Sequence, residues 1–226
     1  MNALLFDLFN TLTALESSPS EHEKNVLGLT QNEWEAIVWG DRNLYDARAR
    51  GHLHTPMSII EQFALRTNRK YSNADLREML RIRTQRFRAT LMEPPQEVLD
   101  TLRLLKRQGY ALALVSNADV LDIQYWKSSK LSKLFDTAVF SCNCGYVKPE
   151  KEIYQLAISA LSGATAPAVY IGDGGNREFE GAKMLGMKSV QTTQFLTGLS
   201  VSAKQAPFID KTIRHIAALP GVLETL

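Results

Sequence analysis

The sequence predicts an α/β fold: a doubly wound, Rossmann-like parallel sheet with an α-helical segment inserted after the first strand. Short apolar runs that end in a polar residue carry that prediction. Leu4-Leu5-Phe6 runs into Asp7, Ala111 to Val115 into Ser116-Asn117, and Ala168 to Ile171 into Gly172-Asp173. Such runs suit strands buried on both faces of a parallel sheet. After Pro95 they alternate with helical patterns, the spacing of βαβ units. A length of 226 residues holds a full core and leaves room for an insertion.

Residues 3–9 read as the first strand, and residues 13–20 as a polar connector. No strand pattern then appears before Ala111. Thr30-Gln31-Asn32-Glu33 has the form of a capping box, followed by Trp34, Ile37, Val38, Leu44 and Tyr45 at helical spacing, with Gly40 weakening the middle. Thr55-Pro56 starts a second helix with Ile59, Ile60, Phe63 and Ala64 on its apolar face. A third begins at Ser72 or Asn73, carries Leu76, Met79, Leu80 and Phe87, and stops at Pro94-Pro95. Residues 14–92 are therefore expected to form a helical cap domain, with residues 1–13 and 93–226 forming the α/β core.

Within that core, Glu97 to Gln108 reads as a helix closed by Gly109, and Ala111 to Val115 as a strand. A helix over 120–134 is expected next, then a strand at Thr137 to Phe140 and a helix from Pro149 to Leu161. Ala168 to Ile171 is a strand, Phe179 to Leu185 a helix, Ser189-Val190 a short strand, and Phe208-Ile209 the last one.

Composition excludes several classes. A formal charge of +2 offers no general attraction to nucleic acid or an anionic membrane. No apolar run is long enough to span a bilayer, and the first residues lack a positive n-region and contain Asp7. Cys142 and Cys144 stand on a segment read as extended, where alternate side chains diverge and a bridge is unfavourable. A cytoplasmic protein with two reduced thiols is expected. The oligomeric state cannot be read from the chain.

In a parallel sheet the carboxyl ends of the strands open on one crevice. Asp7, Ser116, Lys148 and Asp173 all fall at such ends. A carboxylate, a hydroxyl, an ammonium and a second carboxylate supply a candidate nucleophile, anion-binding groups and a carboxylate pair able to hold Mg²⁺.

With those residues in place, the chain resembles the haloacid dehalogenase-like (HAD) hydrolase superfamily, in the subgroup with a helical cap between the first and second motifs. Asp7-Leu8-Phe9-Asn10-Thr11-Leu12 resembles motif I, Val115-Ser116-Asn117 motif II, and Lys148-Pro149 motif III. Gly172-Asp173-Gly174-Gly175-Asn176-Arg177-Glu178 resembles motif IV. The resemblance implies that Asp7 attacks the substrate and forms a covalent aspartyl ester, with Lys148 offsetting charge. It implies that Thr11, Ser116, Asn117 and Lys148 bind the transferring group. Mg²⁺ would be held by Asp7, the backbone carbonyl of Phe9, Asp173 and Glu178, the last directly or through water. Asn10 stands where the family usually has Gly, and both tolerate a left-handed turn.

Departures from the family pattern pull in opposite directions. Phe9 stands where phosphatases of this type carry an acid/base Asp, and an aromatic residue there resembles the dehalogenase branch, as does Tyr154. Asp173 and Glu178 keep the carboxylates of the metal-dependent branch. The expected function is a Mg²⁺-dependent phosphatase of a small phosphorylated metabolite. A 2-haloacid dehalogenase-type hydrolase is the alternative, and an inert metal- or ligand-binding protein of the same fold is the alternative of another class. The substrate is expected to be a small phosphate ester or halo acid, with no nucleic-acid or membrane partner.

Other features read as structural. Arg77, Arg81, Arg83, Arg86 and Arg88 are expected on a solvated helix face, His52 and His54 on a loop, and Trp34 and Trp39 in the packing of the cap. Gly172-Asp173-Gly174-Gly175 is not read as a nucleotide loop, because the first strand lacks the glycine fingerprint.

Overall fold

The computed structural model describes residues 2–15, 21–161, 168–196 and 205–226. The expected connector over 13–20 falls partly outside the described residues. The sheet contains β1 (Ala3–Phe6), β2 (Ala111–Ser116), β3 (Thr137–Phe140), β4 (Val169–Gly172), β5 (Lys188–Thr192) and β6 (Lys211–Ile213). Every pairing is parallel, in the spatial order β3-β2-β1-β4-β5-β6. The order reverses beside β1, so the crevice at the ends of β1 and β4 is where such sheets bind ligands.

Alternation explains how β1 serves two cores. Leu4 and Phe6 enter one buried cluster, with Leu112 and Leu114 of β2. Ala3 and Leu5 enter the cluster on the other face, with Ala111, Ala113 and Val115. Helices cover both faces: α6 (Gln96–Arg107) packs on the first cluster, and α8 (Lys151–Ser159) and α9 (Glu178–Met184) on the second.

Between β1 and β2 lie α1 (Glu23–Val26), α2 (Gln31–Glu35), α3 (Arg42–Ala49), α4 (Pro56–Leu65) and α5 (Asn73–Met92). They share a buried cluster of their own, built on Leu27, Trp34, Val38, Leu44, Ile59, Phe63 and Met79. Thr30 and Glu33 form the expected capping box, and Ser72 with Asp75 forms another. The weakness at Gly40 becomes a break: a π-helical turn covers Ala36–Gly40, and Asp41 then caps α3 by accepting from the Leu44 N–H.

Several expectations are corrected. The first strand ends at Phe6 rather than at residue 9, because the chain turns: Asn10 adopts φ 59°, and its N–H donates to the Thr13 carbonyl at 2.7 Å. The helix expected over 120–134 is a series of turns with 3₁₀ segments at Trp126–Ser128 and Leu131–Lys133. There Asp119 Oδ1 accepts the Leu121 and Asp122 N–H groups, and Ser129 Oγ accepts that of Leu131, so side chains outcompete helical carbonyls. The last strand is Lys211–Ile213 and not Phe208-Ile209, since Pro207 lies in a 3₁₀ turn over Ala206–Phe208 and has no N–H for a ladder. The cysteines lie on or beside one helical turn, α7 (Ser141–Cys144), instead of an extended segment, and both are free thiols. Trp34 is buried, whereas Trp39 is 55% exposed.

The arginines of α5 divide. Arg77, Arg81 and Arg88 are exposed as expected, but Arg83 is buried, at 4% exposure. It stands on the helix stripe with Met79 and Phe87, and carboxylates from elsewhere in the chain make that position tolerable. No helix among the described residues is long and apolar enough to cross a membrane.

Candidate active site

Asp7 is the first residue beyond β1, held there by its own N–H donating to the Ile171 carbonyl of β4 at 2.9 Å. Its carboxylate is 6% exposed. Oδ2 accepts from the Thr11 hydroxyl at 3.1 Å, and Oδ1 accepts from the Lys148 ammonium at 2.5 Å. Lys148 reaches in from the loop before α8 and donates also to Glu178 Oε2 at 2.7 Å. Its ammonium is buried, which opposes the charge, yet Asp7 and Glu178 hold its pKa above the ordinary lysine value.

Asp173 follows β4, and Glu178 opens α9. Carboxylate oxygens of Asp7, Asp173 and Glu178 lie within 4.8 Å of one another. Glu178 is fully engaged: Oε1 accepts the Gly174 N–H at 2.8 Å, and Oε2 accepts Tyr170 Oη–H at 2.8 Å beside Lys148. A Cβ at position 172 would sit 2.0 Å from Glu178 Oε1, so only glycine ends β4 there. Burial pushes the Glu178 carboxyl up to about 8, with Asp7 and Asp173 adding to the shift and Lys148 opposing it. Burial and the Asp7 charge raise Asp173 as well. Three carboxylates face one ammonium, a surplus of two negative charges when all are ionised.

The loop after β2 supplies the remaining expected groups. Ser116 is buried and its Oγ has no hydrogen-bond partner. Asn117 Oδ1 accepts the Lys148 backbone N–H at 2.8 Å, so the amide braces the loop that carries the ammonium. Phe9 is half-buried, its ring edge-on to Phe87 of α5 at 5.5 Å. Tyr154 is buried under the site and donates its hydroxyl to the Glu178 carbonyl at 2.9 Å.

A cavity of about 180 Å³ opens over Asp7, walled by Asp7, Ser116, Asn117, Lys148 and Asp173 below and by Trp39, Tyr45, Arg48 and Phe87 of the helical insert above. The structure thus brings Asp7, Thr11, Ser116, Asn117, Lys148, Asp173 and Glu178 together around one carboxylate. The chain that places these carboxylates and one ammonium at the switch point of the sheet matches one family model, that of the haloacid dehalogenase-like hydrolases, over residues 1–186. The chain belongs to that family.

Relatives fall on both branches. The chain is 27% identical over 144 residues to the glyceraldehyde 3-phosphate phosphatase of Methanocaldococcus jannaschii, covering 62% of this chain and 60% of that protein. It is 29% identical over 109 residues to the pyrophosphatase PpaX of Bacillus mycoides, 48% of this chain and 50% of the relative. The chain therefore spans only about half to three-fifths of the curated relatives it matches. Among solved structures, L-2-haloacid dehalogenase of Xanthobacter autotrophicus superposes with a TM-score of 0.66 at 16% identity, over 100% of this chain and 99% of that one. CbbY of Rhodobacter sphaeroides in complex with phosphate superposes with a TM-score of 0.58 at 21% identity, over 96% of each. At these identities the structures establish the haloacid dehalogenase-like fold.

Motif reading missed the residues of the insert. Tyr45 links both sides of the crevice: it accepts from Asn117 Nδ2 at 3.1 Å and donates to Asn176 Oδ1 at 2.8 Å. Arg48 donates to Asp119 at 2.7 Å, and Arg83 to Asp122 at 2.6 Å and Glu23 at 2.9 Å. The sequence marks Tyr45 only as part of a helix's apolar face and Arg83 only as one of a run of arginines, and Arg48 not at all. Partners separated by 39 to 71 residues leave no local pattern to read.

Proposed function

We propose that this haloacid dehalogenase-like protein is a Mg²⁺-dependent phosphatase of a small phosphorylated metabolite, with Asp7 as nucleophile. The observation that carries this reading is the surplus of negative charge around Asp7. Three carboxylates against one ammonium, two of them pushed toward protonation, form a set that a divalent cation would relieve. All are oxygen donors, the chemistry Mg²⁺ prefers. Asp7, Asp173 and the Phe9 backbone carbonyl are the proposed ligands. Glu178, whose oxygens already serve Lys148, Tyr170 and Gly174, would act through water. When bound, Mg²⁺ would supply positive charge to the phosphoryl oxygens.

The residues around it suit an anionic substrate. The free Ser116 hydroxyl and the Lys148 ammonium wall the cavity and would meet phosphoryl oxygens, the Thr11 hydroxyl steadies Asp7, to which it donates, and the Ser116 Oγ is otherwise an uncompensated buried group. Asp7 would form an aspartyl phosphate that water then hydrolyses. The insert would cover the cavity and exclude bulk water during the first step. A cavity of about 180 Å³ over Asp7 holds a small substrate.

Phe9 favours halide release, since a halide departs without a proton and the phenyl ring transfers none. Phosphate release from small esters, with Mg²⁺ and with chelator, tests the two readings together. Metal-dependent release supports the phosphatase; halide release from a short 2-halo acid in chelator, with no phosphate release, would replace it by the dehalogenase.

A further inference from the structure

We propose that Asp122 is the general acid and base of this reaction, supplying from the loop after β2 the proton transfer that Phe9 cannot perform. The inference rests on the phosphatase reading. A phosphate ester of an ordinary alcohol needs a proton donor for its leaving oxygen, and the phosphorylated Asp7 then needs a base for water. Among the described residues, the carboxyl groups that wall the cavity are Asp7, Asp173, Asp119 and Asp122. Asp7 and Asp173 are taken by the nucleophile and metal roles, which leaves Asp119 and Asp122. Tyr45 also walls the cavity, but its hydroxyl proton is committed to Asn176.

Geometry separates the two remaining acids. Asp119 is 1% exposed and saturated: Oδ1 accepts the Leu121 and Asp122 N–H groups, each at 3.0 Å, and Oδ2 accepts Arg48 Nη1 at 2.7 Å. Asp122, at 8% exposure, has Oδ1 bound by Arg83 Nη2 at 2.6 Å. Its Oδ2 accepts only the Asp119 N–H at 3.1 Å, so one lone pair stays available for a proton. Asp119 is thus the fixed anion and Asp122 the group that can change state.

The electrostatics agree. Burial, and then the Asp119 charge, push the Asp122 carboxyl up to about 7 against the pull of Arg83 and Arg48. Asp119 is as deeply buried, yet Arg83 and Arg48 hold it below the usual range. Two neighbouring carboxyls driven apart in this way divide into an acid and an anion. Among the described residues, the cations paired with the two carboxyls are Arg83 from α5 and Arg48 from α3. Glu23 of α1 shares Arg83, and its own second cation is Arg86. The Cys142 thiol nearby is raised to about 12, by burial first and then by Asp119 and Asp122, so it stays neutral.

The step balances. As Asp7 Oδ bonds to phosphorus and the phosphorus–oxygen bond to the alcohol breaks, the Asp122 proton passes to the departing oxygen. The Asp122 carboxylate then takes a proton from water as the water oxygen bonds to phosphorus and the Asp7–phosphorus bond breaks. Inorganic phosphate leaves, Asp7 is a carboxylate again and Asp122 is protonated.

The test compares ethyl phosphate, whose alcohol needs a proton, with acetyl phosphate, whose acetate does not, in wild type and Asp122→Asn. The variant should lose about 10²–10⁴-fold in kcat/KM on ethyl phosphate, the usual worth of a positioned acid. On acetyl phosphate it should still phosphorylate Asp7, and radiolabelled phosphoenzyme should accumulate because the base for water is gone. Equal losses on both substrates, without phosphoenzyme, would overturn the role of Asp122. Asp122→Glu, which keeps a carboxyl, should keep the wild-type ratio between the ester and the acyl phosphate; a ratio like that of Asp122→Asn would overturn it too. If Asp122→Asn does not fold, the wild-type pH profile decides. The kcat/KM for ethyl phosphate should fall above about pH 7 relative to acetyl phosphate, and parallel profiles would contradict the proposal. Wild-type silence on both substrates would instead remove the phosphatase reading itself.

Discussion

Arg83→Met isolates what the buried charge network contributes. Arg83 donates to Glu23 at 2.9 Å and to Asp122 at 2.6 Å, and its guanidinium lies over the rings of Phe87 and Phe63 at 4.6 and 5.4 Å. Methionine keeps most of the apolar stem but removes the cation. Glu23 retains Arg86 and Asp119 retains Arg48, whereas Asp122 loses the one cation paired with it among the described residues. Breaking a buried pair by deleting one partner costs about 3–5 kcal/mol, because the other charge stays buried and unpaired. At about 2–4 °C per kcal/mol for a chain of this size, the thermal midpoint should fall by about 6–20 °C. Adding Asp122→Asn should return part of that loss, since neighbouring changes in one network are not additive. Arg81→Met is the control: Arg81 lies on the same helix with exposed partners, Glu78 and Glu21, and its loss should leave the midpoint nearly unchanged. The assay is thermal unfolding of the variants in one buffer. Equal, small shifts for Arg83→Met and Arg81→Met would refute the reasoning.

Three further outcomes follow from the site. Mg²⁺ at about 100 times its dissociation constant should raise stability by about 2.7 kcal/mol, read as a shift in denaturant midpoint, and Asp173→Asn should abolish the shift. In chelator, Glu178 titrates at about 8 in the folded protein against an ordinary 4.5. Its folded pKa is raised, so its contribution is full below pH 4.5 and is lost as pH rises to about 8. The thermal midpoint in chelator should therefore fall across that window, and saturating Mg²⁺ should flatten the fall. Gly172→Ala would place a methyl group 2.0 Å from Glu178 Oε1, and should cost about 1–3 kcal/mol in denaturant unfolding while weakening the Mg²⁺ shift.

The sheet was legible because a parallel strand buried on both faces leaves a short apolar run ending in a polar residue, as Leu4 to Phe6 and Ala111 to Val115 show. Helix starts were legible for a local reason: Thr30 with Glu33 and Thr55 with Pro56 act within one turn. The 120–134 segment was misread because Asp119 and Ser129 turn the backbone by hydrogen bonds that an apolar pattern does not record. Strand β6 was misplaced because Lys211 and Thr212 are exposed edge residues with no apolar run to mark them. In the site, Asp7, Ser116 and Asp173 were read from strand ends, and the structure brings to them Lys148, which reaches in from the loop before α8 rather than from the end of β3. Arg48, Arg83, Asp119 and Asp122 were not, because their meaning lies in pairings between the insert and the loop after β2.

The central claim is that Asp7 forms a covalent bond with the substrate's phosphoryl group. The direct measurement is the mass of the intact protein after rapid acid quench during turnover of acetyl phosphate with Mg²⁺. The account predicts that a fraction of wild type gains one phosphoryl group, located on the peptide containing Asp7, and that Asp7→Asn gains none while unfolding at a similar temperature. Turnover by Asp7→Asn at the wild-type rate, or a phosphoryl group on another residue, would contradict it.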